Sequence, residues 1–243
     1  MLSLKNIQVT VENKIIIDDF SLDLELGKNY CILGKNGSWK SSLAMAIMWH
    51  PSYSINHGTL FLTSATQEIN VLELDPHERA KLGIFVAFQT IPEIKGVKLF
   101  EFLRSIYNAT TDQNLSFVQF KKHILPLLEL LKIDNEFLRR DVNVWFSGWE
   151  RRKIEMLQLK LLQPKYIFLD EVDSGLDVDA FRDVAAMIQE LNSSENTFII
   201  ITHYFTILDY IPVDRVYVLE AGKVVKEGNM SLALSIKETW FNE

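Results

Sequence analysis

A single cysteine, Cys31, stands in 243 residues. That excludes a disulfide framework, and it excludes a thiolate cage for an iron–sulfur cluster, which takes four sulfur ligands. Cys31 lies in the apolar run NYCILG, where a buried strand thiol is the reading and a reducing cytosol the fitting compartment. Positive charge is short as well: 25 Lys and Arg face 32 Asp and Glu, a net charge of −7. Such a balance offers no basic face to nucleic acid or anionic lipid and reads as solubility. No apolar run reaches the roughly 18 residues of a membrane span, and MLSLKNIQVTVENK is no signal peptide. Direct membrane insertion is not expected; a membrane role needs a partner. Glycine is also sparse, 10 residues in all, against an average near 7%.

What is present is enough apolar residue for a core, 48% of the chain. SLKNIQVTV, FSLDLEL and YCILG read as strands, and SSLAMAIM as a helix. TLFLTS and GIFVAFQ are strand-like, with DPHERAKLG helical between them. From about 90 to 145 the character changes: LFEFLRSIYNA, FVQFKKHILPLLELLKI and NEFLRR are amphipathic helical segments. SGWERRKIEMLQLKLLQ is a helix with Ser147 as N-cap, stopped before Pro164. KYIFLDE and TFIIITH are buried strands around the helix DVDAFRDVAAMIQELN, and RVYVLEAGKVVKEG is a hairpin turning at Ala221-Gly222. Continuous apolar strands alternating with helices predict an α/β domain with a mostly parallel sheet covered on both faces. Residues 1–89 and 146–243 form its core with an N-terminal antiparallel β sub-domain; about 90–145 is an inserted helical sub-domain.

The chemistry-bearing stretch is GKNGSWKSS, residues 34 to 42. It follows a strand and precedes a helix, the context of a phosphate-binding loop G-x-x-x-x-G-K-S. In such a loop backbone N–H groups cradle phosphate oxygens; Lys40 would reach the β- and γ-phosphates and Ser41 would ligate Mg²⁺. Trp39, however, stands where the last glycine belongs. YIFLDE then ends in Asp170 and Glu171, at the carboxyl end of a strand where open α/β sheets bind ligands. Asp170 would hold Mg²⁺ through water and Glu171 would act as general base; an acid pair that merely caps a helix is the plain alternative. His203 and Gln89, each at a strand end, are weak signals singly.

In order, the phosphate loop, Gln89, SG-x-E opening a helix, FLDE, SGLD and His203 resemble the nucleotide-binding domain of ABC ATPases, a P-loop NTPase fold, over essentially the whole chain. GIFVAFQTIPEIKGV, RRDVNVWFSGWERRKIEMLQL, FLDEVDSGLDVDA and ITHYFTILDYI resemble its SufC branch, the ATPase subunits of iron–sulfur cluster assembly. The run DSGLD at 173 to 177 is the most telling, since a transporter domain commonly reads PTSALD there. The resemblance implies ATP and Mg²⁺ as ligands, with Gly34, Lys35, Asn36, Gly37, Ser38, Trp39, Lys40, Ser41 and Ser42 on the phosphates. It implies Ser41, Gln89 and Asp170 at the metal, Glu171 activating water, and His203 steadying the γ-phosphate. Ser147, Gly148, Trp149 and Glu150 would reach ATP on a second copy, with Asp177 on that copy's loop, in a transient ATP-dependent homodimer. SufB-like and SufD-like scaffold subunits are the implied partners, and the cytoplasm the implied compartment. A transporter ATPase with a membrane partner, and a nucleotide-inactive regulatory subunit, are the alternatives. Without an aromatic near Val11 and Lys14 to stack on adenine, base recognition should be weak.

Trp149 also stands at a family glycine, as do Trp49 in IMWHP and Trp145 in VNVWFSG. Four glycines rendered as tryptophan, through a codon such as a reassigned UGA, would explain this; a real inactive paralogue is the competing reading. Taken literally, Trp39 and Trp149 should crowd the nucleotide site around an intact backbone, and activity of that literal chain is in doubt.

Overall fold

The structure, a computed structural model, describes residues 1–240; residues 241–243, assigned above to the core, lie outside the described residues. Strand pairing begins at a two-residue turn. Glu12 and Asn13 both have positive φ, as a type I′ turn requires, and they join β1 (Leu2–Val11) to β2 (Lys14–Leu24). The second strand thus starts six residues earlier than FSLDLEL suggested, because the turn chemistry sits at Glu12-Asn13. The chain leaves this layer along β3 (Tyr30–Leu33), passes the glycine loop and enters α1 (Lys40–Ile47). It returns as β4 (Ser54–Thr63) beside β1, with the short β5 (Glu68–Asn70) on the edge. The antiparallel sheet has the order β2-β1-β4-β5.

α2 (Pro76–Lys81), opened by an Asp75–Glu78 capping box, leads to β6 (Ile84–Ala87). Next come β7 (Ile94–Lys98), α3 (Leu99–Thr111), α4 (Phe117–Leu130) and β8 (Asp141–Val142). β7 and β8 form a small antiparallel ribbon that fastens the two ends of the helical insertion together. The sequence reading missed this ribbon because two residues of strand carry no periodicity. NEFLRR is a 3-10 turn over Asn135–Arg139 and not an α-helix.

α5 (Gly148–Leu162), β9 (Tyr166–Asp170), α6 (Val178–Leu191), β10 (Thr197–Thr202), β11 (Arg215–Glu220), β12 (Lys223–Gly228) and α7 (Met230–Trp240) complete the chain. The second sheet has the order β12-β11-β3-β10-β9-β6, parallel throughout except for β12. Side chains alternate across each strand, so every central strand feeds two cores. Ile32, Phe168, Ile199 and Ile201 pack toward α1 and the antiparallel sheet. Cys31, Leu33, Ile167, Leu169 and Ile200 pack toward α5, α6 and α7. Cys31 is buried and its thiol is pushed up by burial, which makes it an inert structural residue. The hairpin turns at Ala221 and Gly222, both with positive φ. A Cβ on Gly222 would strike the Ile16 carbonyl, so glycine lets this hairpin lie against β2.

α5 serves two cores at once. Met156 and Leu159 face the parallel sheet, while Ile154, Leu157 and Leu161 complete the core of the helical segment with Leu103, Phe120 and Ile124. α5 thus joins the helical segment to the parallel sheet.

Candidate functional site

Residues 34–39 run from the end of β3 to the start of α1, at the carboxyl edge of the parallel sheet. Lys40 is buried, and its Nζ donates to the carbonyls of Gly34 at 2.7 Å and Lys35 at 3.2 Å. The ammonium thus lies folded inside its own loop, where burial lowers its pKa against the opposing pull of Glu171 and Asp170. A phosphate arriving at this loop would offer Lys40 a full negative charge in place of carbonyl dipoles.

One residue on, the Ser41 hydroxyl donates to Asp170 Oδ1 at 2.7 Å. Asp170 ends β9 with no exposed surface, and its other oxygen, Oδ2, is buried without a hydrogen-bond partner. Burial pushes its pKa up to about 6. An orphaned carboxylate oxygen beside a serine hydroxyl at a phosphate loop fits Mg²⁺, which binds through one or two carboxylates plus substrate phosphates. Among the described residues no cluster of three or more His, Cys, Asp or Glu could hold a metal ion.

Three side chains predicted at separate strand ends meet here. Glu171 accepts from Gln89 Nε2 at 2.5 Å through Oε2, and its Oε1 lies 2.9 Å from His203 Nδ1. Glu171 itself has φ of 45°, a left-handed backbone unusual for glutamate and frequent at functional sites. All three line an open cavity of about 490 Å³ together with Trp39, Ser41 and Tyr204. Neither Val11 nor Lys14 lines it. The cavity joins a carboxylate, a histidine and a cradle of backbone donors, the set needed to orient a water against a bound phosphate.

The remaining predicted residues sit apart from this cavity. Ser147 is the N-cap of α5 in a capping box with Glu150: Ser147 N–H donates to Glu150 Oε2 at 2.7 Å, and Glu150 N–H to Ser147 Oγ at 3.2 Å. Asp177 caps α6 by accepting from the Ala180 N–H at 2.8 Å. The two indoles behave differently from each other. Trp39 lines the cavity, as the literal sequence implied, whereas Trp149 turns to Lys153, whose Nζ lies 5.0 Å from the ring centre, and to Ile133 and Phe137. Trp149 also packs against the core between α5, α6 and the parallel sheet.

Comparison with known proteins decides the family. The ABC transporter family profile matches residues 17–174. The chain is 39% identical to a probable ATP-dependent transporter of Escherichia coli, SufC, covering all of this chain and 99% of that one. It is 40% identical to a probable ATP-dependent transporter, ycf16, of Guillardia theta, covering 98% and 94%. The chain belongs to the ABC ATPase family. A dimeric ATP-binding cassette in a post-hydrolysis state, bound to ADP and Pi, has the same fold, with a TM-score of 0.78 at 20% identity over 95% of this chain and 99% of that one. A nucleotide-free cassette matches with a TM-score of 0.74 at 23% identity, over 97% and 95%.

In this ABC ATPase one polar pair near the site was invisible in the sequence. Arg152, buried in α5, donates through Nη1 to the Phe88 carbonyl at 2.8 Å and through Nη2 to the Gln89 carbonyl at 3.1 Å. Its Nη1 also donates to Glu155 Oε2 at 2.7 Å. α5 thereby holds the backbone of the residue that holds Glu171. Nothing in ERRKIEM marks Arg152 and Glu155 as inward-facing, since both types normally face solvent. Burial pushes the Glu155 carboxyl up to about 7, against the pull of Arg152. A raised carboxyl pKa favours the folded state below the unfolded value near 4.5, and that contribution is lost as pH rises through 7. Between about pH 4 and 8 the parent should therefore lose about 3 kcal/mol more stability than E155Q. Urea midpoints across that range test this, and parallel pH profiles for the two proteins would refute it.

Proposed function

We propose that this ABC ATPase drives conformational change in an iron–sulfur cluster assembly scaffold. The observation that carries hydrolysis is the meeting of Gln89, Glu171 and His203 at the mouth of the loop that buries Lys40. The scaffold assignment rests on full-length similarity to SufC. ATP is held by residues 34–42, where Lys40 exchanges the Gly34 and Lys35 carbonyls for phosphate oxygens. Ser41, Asp170 and Gln89 would hold Mg²⁺, which would supply neutralisation of phosphate charge. Glu171 takes the proton of the attacking water, oriented by Gln89 and His203. Ser147, Gly148 and Glu150, at the exposed start of α5, complete the site of a second copy, and Asp177 meets its loop, giving a transient homodimer.

No described helix is long and apolar enough to cross a membrane, and the cytoplasm is the proposed compartment. SufB-like and SufD-like subunits are the proposed partners and carry the cluster, since Cys31 is the one thiol here. The test is affinity purification of the tagged chain from its source cell. Co-purification of two SufB- and SufD-like scaffold subunits is the expected result; a membrane permease in their place would overturn the scaffold assignment and leave the ATPase site untouched.

A further inference from the structure

Three of the five tryptophans hold a backbone conformation that belongs to glycine, and each does so in a different motif. Trp39 has φ of 71° as the residue immediately before α1. Trp49 has φ of 57° just past the end of the same helix. There its N–H donates to the Ala46 carbonyl at 3.0 Å and the next N–H, of His50, to the Met45 carbonyl at 2.9 Å. That pair of bonds is a Schellman motif, whose left-handed residue is usually glycine. Trp145 has φ of 61° at the third position of a turn closed by the Phe146 N–H on the Asn143 carbonyl, 3.4 Å. Positive φ at that position is the mark of a type II turn and its glycine.

A few per cent of non-glycine residues have positive φ, so three among five tryptophans is a coincidence on the order of one in a thousand. Among the described residues, the other ten non-glycine residues with positive φ include no aromatic and no β-branched side chain, and half are Asn or Asp. Seven of the ten glycines share the conformation. The indoles gain little in return. Trp145 is 91% exposed, Trp49 48% and Trp39 38%, and none of the three donates a hydrogen bond through its ring N–H to another described residue, which a buried indole would need. Trp49 does lie under the Arg79 guanidinium, 5.3 Å from ring centre to Cζ, but that cation is already bonded to the carbonyls of Ile47, Leu72 and Leu74.

We propose that the chain made in its source cell carries glycine at 39, 49 and 145, from a UGA codon that the cell reads as glycine. The assignment comes from backbone geometry and stands independently of the ATPase reading. Trp149 has ordinary helical backbone and is assigned by the motif S-G-G-E alone.

The deciding experiment is mass spectrometry of tryptic peptides from the native protein, beside the gene sequence. Peptide 36–40 reports position 39, and peptide 141–151 reports positions 145 and 149. Glycine masses with UGA codons are expected; tryptophan masses, or UGG codons, would overturn the proposal whatever the protein hydrolyses. A second readout uses recombinant chain. W145G removes a left-handed tryptophan that buries almost nothing, and should raise Tm by about 2–4 °C, whereas W240G, in a helix, should not raise it. A fall in Tm for W145G would show that the turn accommodates tryptophan and would count against glycine there.

Discussion

W39G should bind ATP at least a hundredfold more tightly than the Trp39 chain. The residue sits where loop turns into helix, with Gly37 and Ser38 before it and Lys40 after it, and its indole lines the cavity that a triphosphate must enter. Backbone N–H groups of this loop can reach phosphate oxygens only if no side chain stands between them, which is the use of glycine at a close approach. Each charge-assisted hydrogen bond to phosphate contributes about 1.5–3 kcal/mol. Blocking two of them costs roughly 3–6 kcal/mol, a factor of 10² to 10⁴ in Kd. Relief of the left-handed backbone adds about 1–2 kcal/mol to the stability of the nucleotide-free W39G protein. The two effects separate in one experiment, thermal unfolding with and without Mg-ATP. W39G should melt higher without nucleotide and gain a further ligand-dependent increment, about 2.7 kcal/mol at a hundredfold excess over Kd. The Trp39 chain should show little such increment. Equal ATP affinities for the two proteins would mean that the indole leaves the loop free, and the obstruction argument would fail.

The sequence exposed most of what lies along the sheet. Runs such as YIFL and FIII are apolar throughout because both faces of a parallel strand are buried, and Asp170, Glu171 and His203 are legible as the polar residues that follow those runs at one edge. What stayed hidden depends on contacts between distant segments. Gln89 and Glu171 are 82 residues apart, and no local pattern states that they touch. Arg152 and Glu155 read as solvent-facing charges on a helix, yet they are buried because α5 is covered on two sides. The β7–β8 ribbon is too short to have a period. The tryptophans were the reverse case: motif comparison flagged 39, 49, 145 and 149 alike, and the backbone singled out the first three. Trp149 was expected at a composite site shared with a second copy; within one chain its indole lies beside Lys153 and packs against the core under α5.

Glu171 replaced by glutamine should leave ATP bound and stop its hydrolysis. In a W39G background, W39G/E171Q is expected to lose about 10²–10⁴-fold in kcat, the range contributed by a positioned general base, with ATP affinity within about threefold of W39G. Geometry is the reason for the split. The carboxylate touches Gln89 and His203 rather than the loop's backbone donors, so an isosteric amide should keep the cluster in place while losing the ability to take a proton. The left-handed φ of Glu171 is unchanged by the substitution, which keeps the backbone strain equal in both proteins. H203A removes a neighbour of the base and not the base itself. Its loss should be smaller than that of E171Q and should fall on kcat, since a positioning contact acts on the water and not on nucleotide uptake. Arrested hydrolysis should also let the two-copy assembly accumulate, so size-exclusion chromatography with Mg-ATP should show W39G/E171Q as a dimer and W39G as mostly monomer. Hydrolysis retained in W39G/E171Q would place the proton acceptor elsewhere, and the Gln89–Glu171–His203 cluster would then be a structural clasp between strand ends.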